Sequence, residues 1–192
     1  MILEGLLVDL VPFGKAFDER EYEWRNNESW FWATVGERHV ISKSSIKRRQ
    51  EEHREWAEHG GQSVFFGVQT KDGKPIGDFS MNWVLPHHRL SMLGASIGEP
   101  DYWGGGYGTD ALLLLVDYAF DWLDMHKVWL ATMSPNMRVI RQMEKVGFTL
   151  EARVREEVWI DGQWADMVLY GLLREEWPGR AAMIEKLGLK AP

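Results

Sequence analysis

Cysteine is absent from this chain of 192 residues. Disulfide scaffolds, thiolate metal sites, iron–sulfur clusters and cysteine nucleophiles are therefore excluded. No apolar run approaches the roughly 20 residues that a membrane-spanning helix needs. The first residues, MILEGLLVDLVPFGK, have no basic start and no small-residue cleavage site. The sequence thus predicts neither a membrane segment nor a signal peptide.

Positive charge is also scarce. Lysine and arginine number 22 against 29 aspartates and glutamates, which gives a formal net charge of −7. Nucleic-acid binders usually carry a basic footprint, and the one basic cluster, Lys43–Arg49, is followed at once by Glu51, Glu52 and Glu55. This spacing is typical of a helix face with i,i+4 ion pairs, so we expect no nucleic-acid partner.

Aromatic residues, in contrast, are plentiful. The chain has 11 Trp, 8 Phe and 5 Tyr, which excludes disorder over most of its length. The length suits one domain, and no repeat, low-complexity segment or flexible linker divides it. We expect a single domain over residues 1–178, followed by a short amphipathic tail over 179–192.

Hydrophobic periodicity predicts a mixed α/β pattern. The predicted strands cover residues 2–11, 63–69, 75–84, 89–98, 128–132, 148–159 and 163–173. The predicted helices cover residues 15–25, 44–59, 109–123 and 136–146. Most of the predicted strands follow one another along the chain without an intervening helix, as antiparallel strands do. Two helices alternate with strands only in the second half of the chain.

Turn and cap signals support these boundaries. Asp72–Gly73 and Asp161–Gly162 are hairpin-turn signals. Ser44 or Ser45 is expected to cap the second helix, and Gly60–Gly61 to end it. Asn136 can cap the fourth helix, and Gly147 can end it.

A glycine cluster separates the strand at 89–98 from the helix at 109–123. Glycine occupies positions 104, 105, 106 and 108. Backbone N–H groups at a helix N-terminus favour anions, and glycine lets a ligand approach the backbone closely. The alternative interpretation is a tight turn with positive φ. Four glycines within five positions favour a phosphate site.

Two common phosphate-binding motifs fit poorly. A P-loop needs Gly-Lys-Ser/Thr, and no lysine follows these glycines. Gly106–Ala111 matches the dinucleotide motif G-x-G-x-x-A by letter, but the next strand, VWLATMS, ends without the acidic residue that binds ribose. The preceding segments also form a hairpin series, so nicotinamide or flavin binding is disfavoured.

Several segments resemble one family. Trp103–Gly108 resembles the acyl-CoA-binding motif Arg/Gln-x-x-Gly-x-Gly/Ala of the GNAT N-acetyltransferase superfamily, with Trp103 in place of the first Arg/Gln. Residues 136–148, NMRVIRQMEKVGF, resemble the family's Asn-x-x-Ala/Ser-x-x-x-Tyr-Glu-Lys-x-Gly-Phe helix. Three further segments are similar to the RimJ/RimL-like branch. They are the N-terminal LEGLLVDLVPF, the KDGKPIG turn and the C-terminal ARVREEVWIDGQWADMVLYGLLREEW. The resemblance covers about residues 2–177.

This resemblance implies a fold and an activity. The fold would be α/β (α+β), with a mixed, mainly antiparallel central sheet, a splayed strand pair and flanking helices. The activity would be that of a cytoplasmic acyl-CoA-dependent N-acyltransferase, which moves an acetyl or other short acyl group from CoA to a primary amine by direct attack. Acetyl-CoA would be the acyl-donor cosubstrate, and no metal is implied.

The resemblance also implies which residues contact acetyl-CoA. The strand before the loop would hold the pantetheine arm through main-chain groups of Ile97 and Gly98. Asn136 would meet the pantetheine or thioester side, and Arg141 could reach the CoA phosphates or lie on a solvated face. The pyrophosphate would bind the loop that Trp103 opens, on the amides of Gly104, Gly105, Gly106, Tyr107, Gly108 and Thr109.

The proton-transfer groups are less evident. Attack on a thioester needs a base for the amine, a donor for the oxyanion and an acid for the thiolate. The family's usual Tyr and Ser acids correspond to Met143 and Val139 here, so Ser134 or a water is expected to donate, or the step needs little acid help. Glu99 is the first candidate base, against the alternative of an exposed loop carboxylate, and Asp78 is the second.

The acceptor would lie across the sheet, near the N-terminal helices and the 85–89 loop. That region carries Trp24, Trp30, Phe31, Trp32 and Trp83. Small amines, antibiotics, polyamines and protein N-termini are all candidates, and the acidic net charge favours a cationic acceptor. Homodimers are common in the family, with residues 180–190 as a candidate contact. The alternative function is a catalytically inactive CoA-binding or sensor protein, which the residues at 139 and 143 would suit.

Overall fold

The computed structural model describes residues 2–34, 36, 38–58 and 63–191. The strands are β1 (Leu3–Glu4), β2 (Val8–Pro12), β3 (Val64–Thr70), β4 (Pro75–Leu85), β5 (Leu90–Ile97), β6 (Lys127–Met133), β7 (Thr149–Ile160) and β8 (Gln163–Leu173). The helices are α1 (Lys15–Trp24), α2 (Glu28–Ala33), α3 (Lys43–Glu58), α4 (Tyr107–Asp117), α5 (Met137–Val146) and α6 (Arg180–Leu187). A π-helical turn, Tyr118–Trp122, prolongs α4. None of the helices in these ranges is both long and apolar enough to cross a membrane.

The eight strands form one sheet in the order β1-β2-β3-β4-β5-β6-β8-β7. The pair β5 and β6 is parallel, and every other neighbouring pair is antiparallel. The predicted mixed, mainly antiparallel sheet is therefore confirmed. This arrangement differs from the parallel sheet on which dinucleotide-binding folds are built.

Both predicted hairpin turns are present. Gly73 between β3 and β4 has φ +84°, and Asp161 and Gly162 between β7 and β8 have φ +48° and +85°. Two successive residues with positive φ match the twist of the flanking strands. The second hairpin therefore closes in a tight turn, although the pairing of β7 with β8 shifts register between Leu150 and Ala152 and between Val154 and Val158.

The opening segment is two strands rather than the single predicted strand. Gly5 donates its N–H to the carbonyl of Val8 at 2.9 Å, so the chain turns between β1 and β2. The carboxylate of Asp110, on α4, accepts the N–H groups of Leu7 at 2.8 Å and Val8 at 3.2 Å. The turn thus depends on a partner about 100 residues away, which a local pattern does not show.

The start of α3 also differs from the prediction. Ser42 Oγ accepts the N–H of Ser45 at 3.1 Å, and the helix begins at Lys43. Ser42 therefore caps α3, and the prediction of Ser44 or Ser45 was wrong. The predicted helix end at Gly60–Gly61 lies outside the described residues.

Helices cover both faces of the sheet. Successive residues of a strand point to opposite faces, and accordingly Leu10 belongs to the main core around α4, whereas Val11 packs with Phe17 and Trp24 of α1. A Cβ atom at Gly98 would lie 2.3 Å from the indole of Trp24. The close approach of α1 to the sheet therefore requires glycine there.

The residues after 178 pack on their own chain. Met183 is 1% exposed and belongs to the main core. Arg180 Nη2 lies 2.8 Å from Asp110 Oδ1. The segment expected as a tail thus forms α6, whose apolar side is turned towards the domain.

Candidate active site

The two parallel strands separate inside the sheet. Register pairs join β5 and β6 only at Leu90–Lys127, Ser91–Val128 and Met92–Trp129. Beyond these pairs, residues 93–97 and 130–133 diverge and leave an opening. Backbone N–H and C=O groups along the two strand edges that face the opening require hydrogen-bond partners. An extended ligand can supply these partners in the way that an added strand does. The predicted splayed pair is present.

The glycine loop leads into α4 beside this opening. Gly106 precedes the helix with φ +88° and provides no side-chain cap. Because the first residue to donate back to Gly106 is Asp110, the amides of Tyr107, Gly108 and Thr109 have no acceptor in the helix. A Cβ atom on Gly108 would lie 3.4 Å from the side chain of Ile97, the last residue of β5. The amides therefore sit at the open end of the splay, where the helix dipole favours an anion.

Trp103 connects the two sides of the opening. Its Nε1 donates to the carbonyl of Ile97 at 2.8 Å. The guanidinium of Arg138, on α5, lies 3.8 Å from the centre of the indole ring. Burial lowers the pKa of Arg138, and the charge of Glu28 opposes this effect. Arg138 was not predicted, because no local sequence signal indicates that it reaches Trp103.

The main-chain groups expected to contact pantetheine already have partners. Gly98 donates its N–H to Ile76 at 2.8 Å, and its carbonyl accepts from Asn27 Nδ2 at 2.9 Å. The Ile97 carbonyl accepts from Trp103. The assignment of Ile97 and Gly98 stays a prediction, and their bonding shifts the expected contact towards earlier residues of β5.

Polar side chains line the end of β6. Asn136 is 2% exposed, and its Nδ2 donates to Thr132 Oγ1 at 3.0 Å and to the Trp32 carbonyl at 3.3 Å. Its side chain makes no capping bond to α5, so the predicted cap was wrong. Asn136 instead ties α5 to β6 and α2.

Ser134 follows β6 directly. Its Oγ accepts the N–H of Asp166 at 3.2 Å, and its own N–H donates to the Asp166 carbonyl at 2.8 Å. The hydroxyl proton has no acceptor among the hydrogen bonds of the described residues. Ser134 is therefore fixed in place with a proton to donate, which suits the predicted acid.

Glu99 is held by two donors from α1. Its carboxylate accepts from the guanidinium of Arg20 and from Trp24 Nε1, the latter at 2.8 Å. Burial opposes ionisation of Glu99, but the bonds from Trp24 and Arg20 prevail and lower its pKa. It is thus neither the free loop carboxylate of the alternative interpretation nor an easily protonated group. Its assignment as the base stays a prediction.

Asp78 has the opposite environment. It lies on β4, opposite Ser96 of β5, and is half-buried. Desolvation raises its pKa to about 6, against the charge of Arg25. Glu21 raises this pKa further and Arg49 lowers it. A carboxylate that titrates near neutral pH can accept a proton from an amine.

The family's usual acid positions are filled by apolar side chains. Met143 is 1% exposed, and Val139 packs against the main core. Arg141, two residues before Met143, is exposed. Its expected contact with the CoA phosphates stays a prediction.

A cavity of about 390 Å³ lies between α2 and the β7–β8 hairpin, next to Asn136. Its lining residues are Glu28, Phe31, Trp32, Arg38, Pro135, Ile160, Asp161, Gln163, Trp164 and Ala165. The 85–89 loop was expected near the acceptor. It precedes the end of β5 that pairs with β6, so it lies at the closed end of the opening. Of the aromatic residues expected near the acceptor, Phe31 and Trp32 line this cavity, whereas the residues of the hairpin side were not predicted.

No cluster of metal-ligating side chains occurs in the part of the chain that the structure describes. His87 and His88 lie exposed in the turn between β4 and β5. The polar groups around the opening are therefore amides, hydroxyls and carboxylates, which suit an organic phosphate ligand and proton transfer.

Known proteins share this architecture. The [ribosomal protein uS5]-alanine N-acetyltransferase of Escherichia coli strain K12 is 32% identical over 124 residues, which are 62% of this chain and 63% of that protein. The spermidine N(1)-acetyltransferase of the same strain is 30% identical over 106 residues, 55% of this chain and 56% of that protein. The chain spans about three fifths of the length of the curated relatives it matches.

A solved structure shows the same fold at lower identity. The spermidine N-acetyltransferase from Vibrio cholerae, in complex with CoA and spermine, superposes with a TM-score of 0.78 at 20% identity, over 88% of this chain and 97% of that one. A family model described as acetyltransferase (GNAT) domain matches residues 8–149. The chain belongs to the GNAT acetyltransferase family.

Proposed function

We propose that this chain is an acetyl-CoA-dependent N-acetyltransferase that acetylates a primary amine by direct attack. The observation that carries the proposal is the opening between β5 and β6, with the uncapped amides of α4 at its open end. An extended pantetheine arm fits the strand edges, and a pyrophosphate fits the amides. Family membership supports the same ligand.

The residues around the opening would have different roles in ligand binding and proton transfer. Gly104 through Thr109 would hold the pyrophosphate, with Trp103 fixing the start of the loop. Asn136 would face the thioester side from β6. When bound, acetyl-CoA supplies the acetyl thioester. The protein must then accept a proton from the amine, for which Glu99 and Asp78 are the candidates, and donate one from Ser134.

The acceptor is an amine. The curated relatives are named for a ribosomal protein alanine and for spermidine, so protein N-termini and polyamines enter the test panel beside small amines. The apolar residues Met143 and Val139 favour a second candidate, which is a CoA-binding protein without turnover. The two candidates differ in turnover and not in affinity for CoA.

Calorimetric titration with acetyl-CoA tests the ligand, and NAD is the control. We expect micromolar binding of acetyl-CoA and no response to NAD. A pair of matched variants tests the loop, because Gly104 and Gly73 have φ +81° and +84° and a Cβ atom at either would meet nothing within 4 Å. Both alanine variants carry the same backbone strain.

Only Gly104→Ala places a methyl group where the phosphate would approach. We expect it to weaken acetyl-CoA binding about tenfold or more, equivalent to about 1.4 kcal/mol, whereas Gly73→Ala stays within about twofold. Equal affinity in both variants would refute the loop assignment. A thiol-release assay with the amine panel then separates the enzyme from the inactive binder.

A further inference from the structure

We propose that the acceptor is a monoamine with an aromatic ring, and that the cavity between α2 and the β7–β8 hairpin binds this ring. The inference rests on the proposed function and specifies its substrate class. It depends on three properties of the cavity, which are its position, its aromatic walls and its charge.

The cavity lies beside the expected thioester. Pro135, between Ser134 and Asn136, forms part of its wall. Asn136 also donates to the main chain of Trp32, another wall residue, at 3.3 Å. A ligand in the cavity can therefore direct its amine towards the end of β6, where direct attack requires it within about 3–3.5 Å of the reacting carbon.

The walls are aromatic on two sides. Phe31 and Trp32 of α2 meet edge to face at 5.0 Å, and Trp164 of β8 stands on the hairpin side. Trp164 is 58% exposed although it is a large apolar group. About 150 Å³ is enough to hold benzene, so the cavity of about 390 Å³ has room for a phenyl or indole group.

The charges favour one amine rather than several. Arg38 donates to both carboxylate oxygens of Asp161 at 3.1 Å and lies 4.2 Å from the centre of the Phe31 ring. The charge of Asp161 is thereby compensated. The carboxylate of Glu28 accepts from Trp32 Nε1 at 3.0 Å, and its charge acts on the guanidinium of Arg138.

Both carboxylates of the cavity thus interact with arginine side chains, whereas a monoamine has no second ammonium group to be paired, because its only nitrogen is the one that reacts. A polyamine keeps several ammonium groups after one nitrogen has reacted, and each of them would need an anionic partner when removed from water. A ring, in contrast, is stabilised by offset or edge contacts with the aromatic walls. The cavity therefore selects phenethylamine-like or tryptamine-like molecules over spermidine.

The test compares kcat/KM for phenethylamine, tryptamine, spermidine and butylamine, with acetyl-CoA as donor. We expect both aromatic amines to exceed butylamine and spermidine by about tenfold or more. Trp164→Ala should remove about tenfold from the aromatic amines only. Trp164→Phe should restore most of this loss, because it keeps a ring.

Trp122→Ala is the matched control. Trp122 is 68% exposed and does not line the cavity, so the ratio between aromatic and alkyl amines should stay within about twofold of the wild type. A tripeptide that begins with phenylalanine shares the same chemistry, and its rate relative to phenethylamine distinguishes a free amine from a peptide N-terminus as the source.

Two failures are distinguishable. Turnover of butylamine or spermidine without any aromatic preference, or a ratio that is the same in Trp164→Ala and wild type, would overturn the aromatic inference and leave the acetyltransferase in place. Failure to bind acetyl-CoA in calorimetry would overturn the proposed function and the inference with it.

Discussion

At the scale of single residues, two carboxylates near the opening differ in their surroundings. Arg20 and Trp24 donate to Glu99 and lower its pKa, whereas burial raises the pKa of Asp78 to about 6. A general base works best when its pKa is near the working pH. We therefore expect Asp78, the second candidate from the sequence, to be the better proton acceptor of the two.

We expect Asp78→Asn to lower kcat about 100-fold, the usual contribution of a general base. Wild-type kcat should rise with pH through about 6 as Asp78 loses its proton, and the variant should lack this rise. The measurement is a pH–rate profile between pH 5 and 9 at saturating acetyl-CoA.

The stability of the same variant provides the control. Because the folded-state pKa of Asp78 lies above its ordinary value of 3.8, the ionised form costs stability increasingly as the pH rises from 3.8 through about 6. Asparagine cannot ionise, so Asp78→Asn should melt higher than the wild type at pH 8, with a smaller difference at pH 5. Loss of activity together with a lower melting temperature at pH 8 would contradict this interpretation.

The sequence showed both acids but not their roles. Glu99 follows a strand and precedes a glycine loop, so it was a natural candidate for the base. Its donors lie 79 and 75 residues earlier in the chain. Pairings at such separations depend on how α1 docks on the sheet, and a local pattern carries no information about them.

At the scale of elements, Glu99 fastens α1 to the end of β5. The bonds to Arg20 and Trp24 join the helix to the residues just before the glycine loop. Removal of the Glu99 charge should therefore weaken this contact between α1 and β5 more than it lowers the rate of acetyl transfer. Since Arg20 is partly exposed, solvent reduces the strength of the ion pair.

We expect Glu99→Gln to lower the free energy of unfolding at pH 7 by about 1 kcal/mol. Glu99 has a lowered pKa in the folded state, so its contribution is complete above the ordinary value of 4.5 and is lost as the pH falls through the lowered one. Urea titrations at pH 7 and pH 3 should therefore show a larger difference between variant and wild type at pH 7 than at pH 3. A large drop in kcat with unchanged stability would instead identify Glu99 as the base.

The predictability of the elements follows from their patterns. The apolar periodicity of α4 and the turn signals before β4 and β8 were visible in the sequence, and the glycine loop between β5 and α4 was found because phosphate binding by amides is a local property. The six-residue α2 was missed, since its three consecutive aromatic residues, Trp30–Trp32, have no helical period. Its cap, in which Asn27 Oδ1 accepts the N–H of Ser29 at 2.8 Å, was the available signal.

At the scale of the whole molecule, Asp110 joins distant parts of the chain. This fully buried carboxylate on α4 binds the turn between β1 and β2 and pairs with Arg180 of α6. The two ends of the domain are thus held at the start of the helix that follows the glycine loop. A sequence pattern identified α4 but gave no reason for an acid in its first turn beyond the helix dipole.

We expect Asp110→Ala to lower the free energy of unfolding by about 3–5 kcal/mol, because Arg180 and two buried N–H groups would lose their partner. Asp121→Ala is the matched control, since Asp121 forms an exposed pair with Arg174 at 3.5 Å. Its effect should stay below about 1 kcal/mol. Urea denaturation measures both, and equal effects would show that Asp110 does not join these parts.

The paired end of β5 and β6 also bears on the width of the opening between these strands. Three register pairs, Leu90–Lys127 to Met92–Trp129, act as a pivot for two strand arms that have no ladder between them. Five residues beyond the pivot extend about 16 Å, so a rotation of about 10° would displace the tip of the arm by about 3 Å. Such a rotation would change the width available at the glycine loop. We therefore expect substitutions around Leu90 and Lys127 to change ligand binding at a distance from the loop.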